Sequence, residues 1–204
     1  MPTNKEAVLK SYAVKEYPDS KSDLFAIFMD VAIDRLCEHG KYGMINMQSW
    51  MFLSSFETLR KKVIENQQID SLLHLGSRTF DELSGEVVQN AAFVISRREE
   101  ERPRLSNSRE EVRPRTSNSD IDTEARGRAS SQYYRLIDGS SCNAKRDMFL
   151  AGENRHVVVD QKQFEQIPGA PIAYWVSDKI REIITNNLPL SAVCKPSQGL
   201  ATAD

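Results

Sequence analysis

The chain has 204 residues, 40% of them hydrophobic, and 27 Lys and Arg side chains against 29 Asp and Glu, for a formal net charge of -2. That length fits about one to one and a half domains with one sizeable core, and the charge balance provides no global attraction for nucleic acid. Cys37, Cys142 and Cys194 lie far apart and fit neither a disulfide framework nor a zinc site. No run approaches the roughly 18 apolar residues that span a bilayer, and MPTNKEAVLK lacks the apolar core of a secretory signal. The expectation is a cytoplasmic protein with no membrane partner and no metal.

The first predicted element is a helix opened by Ser22-Asp23, with Leu24, Phe25, Phe28, Val31, Ala32 and Leu36 at helical spacing and Gly40 as its stop. Tyr42 to Met47 is short and apolar between glycines, which predicts a strand buried on both faces. Ser54 and Glu57 have the spacing of a capping box, and Phe56, Leu59, Val63 and Ile64 give the following helix an apolar face running to about Asn66. Arg60-Lys61-Lys62 then falls on the opposite face and reads as a solvated surface rather than a phosphate contact. Ile69 to Leu75 predicts a strand, Gly76 to Gly85 a loop, and Val87 to Ile95 a third strand whose direct connection favours antiparallel pairing.

The character changes at Arg97. REEERPRLSNS (98–108) and REEVRPRTSNS (109–119) are tandem copies that agree at nine of eleven positions. Each has an interior proline and almost no apolar residue, so neither can bury a helical face. Arg97 to about Gln132 is therefore expected to be a flexible, solvated loop. Tyr133 to Gly139 predicts a strand and turn, Met148 to Leu150 a short helix before Gly152, and Val157 to Val159 a weak strand. Tyr174 to about Thr185 predicts a helix, and the tail from Leu188 has little periodicity.

Five segments occur in a fixed order: PDSKSDLFAIF (18–28), GMINMQSWMFLSSFETLR (43–60), HLGSRTFDELSGEVVQNAAFVI (74–95), YYRLIDG (133–139) and IPGAPIAYWVS (167–177). Together they resemble the large adenine-specific DNA methyltransferases of bacteriophage-exclusion and phage-growth-limitation systems, over nearly all of the chain except the tandem repeat. The resemblance implies an α/β fold: part of a doubly wound, Rossmann-like methyltransferase sheet whose last strands include an antiparallel hairpin strand, followed by an α+β connecting segment. It implies S-adenosylmethionine as cofactor and DNA as substrate. The glycine-rich loop and the Asn-Pro-Pro-Tyr type motif of that class do not occur in the sequence, so no catalytic residue is assigned. The chain is expected to be the half that follows the catalytic motif and to be inactive alone. Residues 1–96 would be the end of the methyltransferase domain, 97–132 the loop with the repeat, 133–187 the connecting segment and 188–204 the truncated start of a target-recognition region. A separate N-terminal half or other defence-system proteins would be its partners. A decayed remnant and a non-catalytic binding module are the alternatives.

Three site residues follow from the resemblance, and a fourth, Trp50, from its place in the chain. Methylating an adenine amino group requires the base to leave the stack and be held by its face, and Phe80 falls where relatives place a side chain against the flipped base. By its residue type alone, Phe80 reads instead as a loop anchor buried in the core. Phe28 and Phe25 correspond to the region lining the adenine side of the cofactor pocket, although core packing explains both equally. Trp50, beyond the C-terminal end of the first strand, would line a substrate groove or be buried in the core. His39, His74 and His156 share no ligand spacing and default to structural roles.

Overall fold

The computed structural model describes residues 4–80, 88–98, 130–158 and 160–194. Helix α1 (Asn4–Glu16) precedes α2 (Leu24–Arg35), strand β1 (Lys41–Met47), 3-10 turns at Gln48–Met51 and Ser54–Phe56, and helix α3 (Glu57–Asn66). Strands β2 (Gln67–Gly76), β3 (Asn90–Arg97) and β4 (Ser131–Arg135) follow, then α4 (Cys142–Ala151), β5 (Arg155–Val158), a 3-10 turn at Gln161–Gln166, α5 (Asp178–Asn186) and the short α6 (Leu190–Val193). Most of the tandem repeat and the end of the chain lie outside the described residues, as does the loop from Asp81 to Val87.

The five strands form one mixed sheet in the order β1-β3-β2-β4-β5. Strand β3 runs antiparallel to both β1 and β2, and β4 lies parallel to β2 and antiparallel to β5. Met47 and Gly76 both pair with Asn90. Strands β1 and β2 therefore point the same way and end flush, and β4 ends beside them with Arg135 opposite His74.

Helix α2 forms where expected because the Asp23 carboxylate accepts the Phe25 N–H and caps the first turn. Ala26, Met29, Asp30 and Ile33 recur on its buried face. That face joins a core of Trp50, Met51, Phe56, Leu59, Val63, Ile64, Ile69, Leu72, Phe93 and Ile95, to which the chain after β5 adds Phe164, Ile172 and Tyr174. On the opposite side of β4, Phe149 of α4 packs edge-on against Tyr134.

Several expectations are corrected. Strand β1 is not buried on both faces: Ile45 is 58% exposed, and Met47 and the adjacent Val94 of β3 are also exposed. Its single described neighbour is β3, and an apolar run reads alike at an edge and at a centre. The capping box does not form, because Ser54 lies in a 3-10 turn and α3 begins at Glu57 without a side-chain cap. Helix α5 starts at Asp178 rather than Tyr174, since Ser177 accepts the Ile180 N–H and sets the first turn there. Helix α4 is longer than Met148 to Leu150, held by Ser141 at its start and left-handed Gly152 at its end. Helices α1 and α6 were not anticipated.

The largest correction concerns Arg60, which is 1% exposed. Its guanidinium donates to the carbonyls of Trp50 (2.9 Å), Leu53 (2.5 Å), Gly169 (2.6 Å from Nη2) and Ala170 (3.2 Å). It thereby ties the turns after β1 to the Pro168–Ala170 loop, where both Gly169 and Ala170 have positive φ. Lys61 does lie outside, paired with Glu57 at 2.8 Å, whereas Lys62 reaches the buried Asp30 and, at 3.0 Å, Asp34.

Candidate functional site at the strand ends

The C-terminal ends of β1, β2 and β4 make one rim, and open α/β sheets bind ligands at such ends. From this rim Gly76 carries the chain out of β2. Its φ is +67°, and a Cβ there would lie 3.0 Å from Ile137 Cγ2, so only glycine lets the two strand ends approach. The turn places Phe80 beyond the sheet, 44% exposed. The phenyl ring is not buried in the core.

Trp50 leaves the same rim but is fully buried, with its ring 5.2 Å from that of Phe93. Its indole N–H has no hydrogen-bond partner among the described residues, nor do the side-chain atoms of Asn46, one residue before the end of β1. Buried polar groups of this kind are uncommon and call for a partner. Phe25 is half-buried, 5.3 Å from Phe56, and so belongs partly to the core. Phe28 is 57% exposed. The four anticipated residues therefore divide into two exposed rings, Phe28 and Phe80, and two packed ones.

The rim also holds a cluster that sequence reasoning missed. His74, near the end of β2, is buried, with Nδ1 3.2 Å from the Tyr174 hydroxyl and Nε2 2.7 Å from Gln48 Oε1. Gln48 in turn donates to Gln89 Oε1. With Gln48 Oε1 as acceptor, Nε2 carries a proton, and in the neutral imidazole Nδ1 accepts from the Tyr174 hydroxyl. Burial, reinforced by the charges of Arg135 and Lys145, pulls the His74 pKa down to about 4. Burial also raises the Tyr174 pKa, so its hydroxyl keeps the proton it donates.

Trp175 stands over this network, with ring centroids 5.6 Å from Phe52, 5.9 Å from His74 and 4.9 Å from Tyr174. Tyr174 itself stacks on Tyr133 at 4.8 Å. The signal for this cluster was the YW pair of IPGAPIAYWVS, which reads as the start of a helix when only periodicity is counted. Among the described residues, no group of His, Cys, Asp and Glu side chains is placed to hold a metal ion, and no helix is long and apolar enough to cross a membrane.

Residues 2–80 match the model of the Eco57I restriction-modification methylase family. An adenine-specific methyltransferase BrxX from Escherichia coli O9:H4 (strain HS) is 38% identical over 169 residues, covering 83% of this chain and 12% of that protein. An adenine-specific methyltransferase PglX from Lacticaseibacillus casei (strain Zhang) is 35% identical over 202 residues, covering 96% of this chain and 15% of that protein. The chain thus spans a small part of the length of the curated relatives it matches.

Proposed function

From a chain homologous over most of its length to proteins named adenine-specific methyltransferases, we infer a part in methylating the exocyclic amino group of adenine in DNA, as a host-defence modification against phage. The identity across 83% and 96% of the chain carries this reading. The rim geometry supports it. The proposed architecture is the end of a doubly wound methyltransferase sheet (1–96), the segment with the tandem repeat (97–132), a connecting segment (133–187) and the start of a target-recognition region (188–204).

S-adenosylmethionine is the proposed cofactor, and the residues present fit one wall of its site. The exposed Phe28 ring lies on the helix packed over β1, and the unpartnered Asn46 amide lies near that strand's end. An exposed aromatic face suits an adenine ring, and the Asn46 amide is a buried group without a hydrogen-bond partner among the described residues. When bound, the cofactor supplies the methyl group as an electrophile. Phe28 and Phe25 would bound its adenine, Phe80 would hold the face of the flipped target base, and buried Trp50 would support the groove from beneath. The glycine-rich loop and the Asn-Pro-Pro-Tyr type motif of the class do not occur in the sequence, and methyl transfer would need them beside the residues named here.

The test is binding of labelled S-adenosylmethionine and methylation of adenine in DNA by the purified chain, alone and mixed with a polypeptide carrying both motifs. Binding and methylation in the mixture only are expected. A folded chain that neither binds nor methylates in the mixture refutes the reading. It would leave a non-catalytic binding module, which the exposed Ile180, Ile183 and Ile184 of α5 favour as a contact face.

A further inference from the structure

We propose that Trp175, braced by Phe52 and His74 at the rim of β1 and β2, is a stacking platform for a neutral purine ring. This rests on the methyltransferase reading and deepens it by naming a base-holding residue other than Phe80.

The indole is fixed by three ring neighbours yet remains 39% exposed. Trp50, by contrast, is fully buried. A pinned indole with an open surface loses little freedom when a flat ligand lands on it. Its support is fixed in charge as well as position. Tyr174 donates to His74 Nδ1, His74 Nε2 donates to Gln48, and Gln48 donates to Gln89, so the groups of this chain that brace the indole are uncharged and hydrogen-bonded to one another. Such a floor favours an uncharged aromatic face over a phosphate or a carboxylate. The cations that act on His74 are Arg135 and Lys145. Arg135 lies opposite His74 in the parallel β2/β4 pair, 3.5 Å from its counter-ion Asp138. The arrangement suits a nucleotide whose base stacks and whose phosphate stays in solvent near Arg135. Its adenine would come from an extruded DNA base or from S-adenosylmethionine.

The experiment measures binding of fluorescein-labelled oligodeoxyadenylate to the full chain by anisotropy, for the wild type, W175F and W175A. Thermal melting serves as the folding control. The wild type is expected to bind, W175A to bind about 5- to 100-fold more weakly, and W175F to stay within about threefold of the wild type because phenylalanine keeps a π face. Competition by unlabelled S-adenosylmethionine in the reconstituted mixture, where the cofactor is expected to bind, separates the sources: displacement assigns the platform to the cofactor's adenine, and no displacement assigns it to the DNA base. No binding by the wild type, or equal binding by folded W175A, overturns the proposal. Methylation by the reconstituted mixture is a separate readout. Platform binding without methylation sinks the methyltransferase reading alone, and methylation indifferent to W175A sinks the platform alone.

Discussion

Replacing Arg60 by methionine keeps most of the side-chain volume and removes every donor. Four carbonyls, those of Trp50, Leu53, Gly169 and Ala170, lose their partner. A buried acceptor left unmade costs about 1–3 kcal/mol. Water will reach some of these carbonyls, since the contacts to Leu53 and Gly169 are only partly buried. The expected loss is therefore about 3–5 kcal/mol rather than the full sum. Urea unfolding followed by far-UV circular dichroism measures it, read as a fall in midpoint at constant slope. Had Arg60 been on the solvated helix face, as its place in Arg60-Lys61-Lys62 implies, the change would be within about 0.5 kcal/mol. A loss below about 1 kcal/mol for R60M would therefore refute the staple and restore the surface reading.

Three other perturbations follow from the same geometry. The His74 pKa is held near 4 in the folded chain, against about 6.5 when unfolded. The unfolded state thus binds the extra proton first, and this contribution, full above about pH 6.5, is lost as pH falls toward 4. About 2 kcal/mol should disappear between about pH 7 and 5, and H74Q should flatten that part of the stability profile; parallel wild-type and H74Q profiles would contradict it. In G76A, the new Cβ meets Ile137 at a positive φ, so stability should fall by about 1–3 kcal/mol; an unchanged urea midpoint would show that the two strand ends can part freely. In K62M, Asp30, 4% exposed and otherwise bonded by Ser20 at 3.0 Å, loses its cation. A loss of about 2–4 kcal/mol is expected, partly recovered by D30N in the same chain, and strict additivity of the two changes would argue against the pair.

Elements defined by local chemistry were legible in the sequence. Asp23 caps α2 by a bond two residues away, and β3 follows β2 directly in the predicted order and runs antiparallel to it, so both could be read from neighbours in the chain. The sequence could not show what depends on distant partners. Arg60 is polar and lies between Leu59 and Lys61, so helical periodicity assigns it to water; its acceptors at Gly169 and Ala170 are 109 and 110 residues away. The apolar run of β1 gave no sign that one face would be open. Helix α1 carries Val8, Leu9, Tyr12 and Val14 exposed rather than gathered against the core, so it has no clear apolar stripe to recognise. At the site, Phe80 and Phe28 owe their assignment to the resemblance, whereas the His74 cluster needed the sheet order, which brings Gln48, His74 and Tyr174 together.

The staple and the platform are physically one device. Gly169 and Ala170 carry left-handed backbone, costly for alanine by about 1–2 kcal/mol, and Arg60 holds that loop five residues before Trp175. The Ile172 N–H adds a bond to the Met51 carbonyl at 2.9 Å, one residue from Phe52. Loosening the staple without breaking the core should therefore free the indole before it unfolds the chain. R60K is the appropriate change, because lysine keeps the charge but has a point donor instead of a planar fork. Trp50 is fully buried and Trp175 is the accessible one of the two tryptophans, so acrylamide quenching reports on the platform. Under native conditions, R60K should raise the quenching constant and lower oligodeoxyadenylate affinity while leaving the far-UV spectrum unchanged. A folded R60K chain with wild-type quenching would mean that Phe52, His74 and Tyr174 position Trp175 unaided, and that Arg60 serves stability alone.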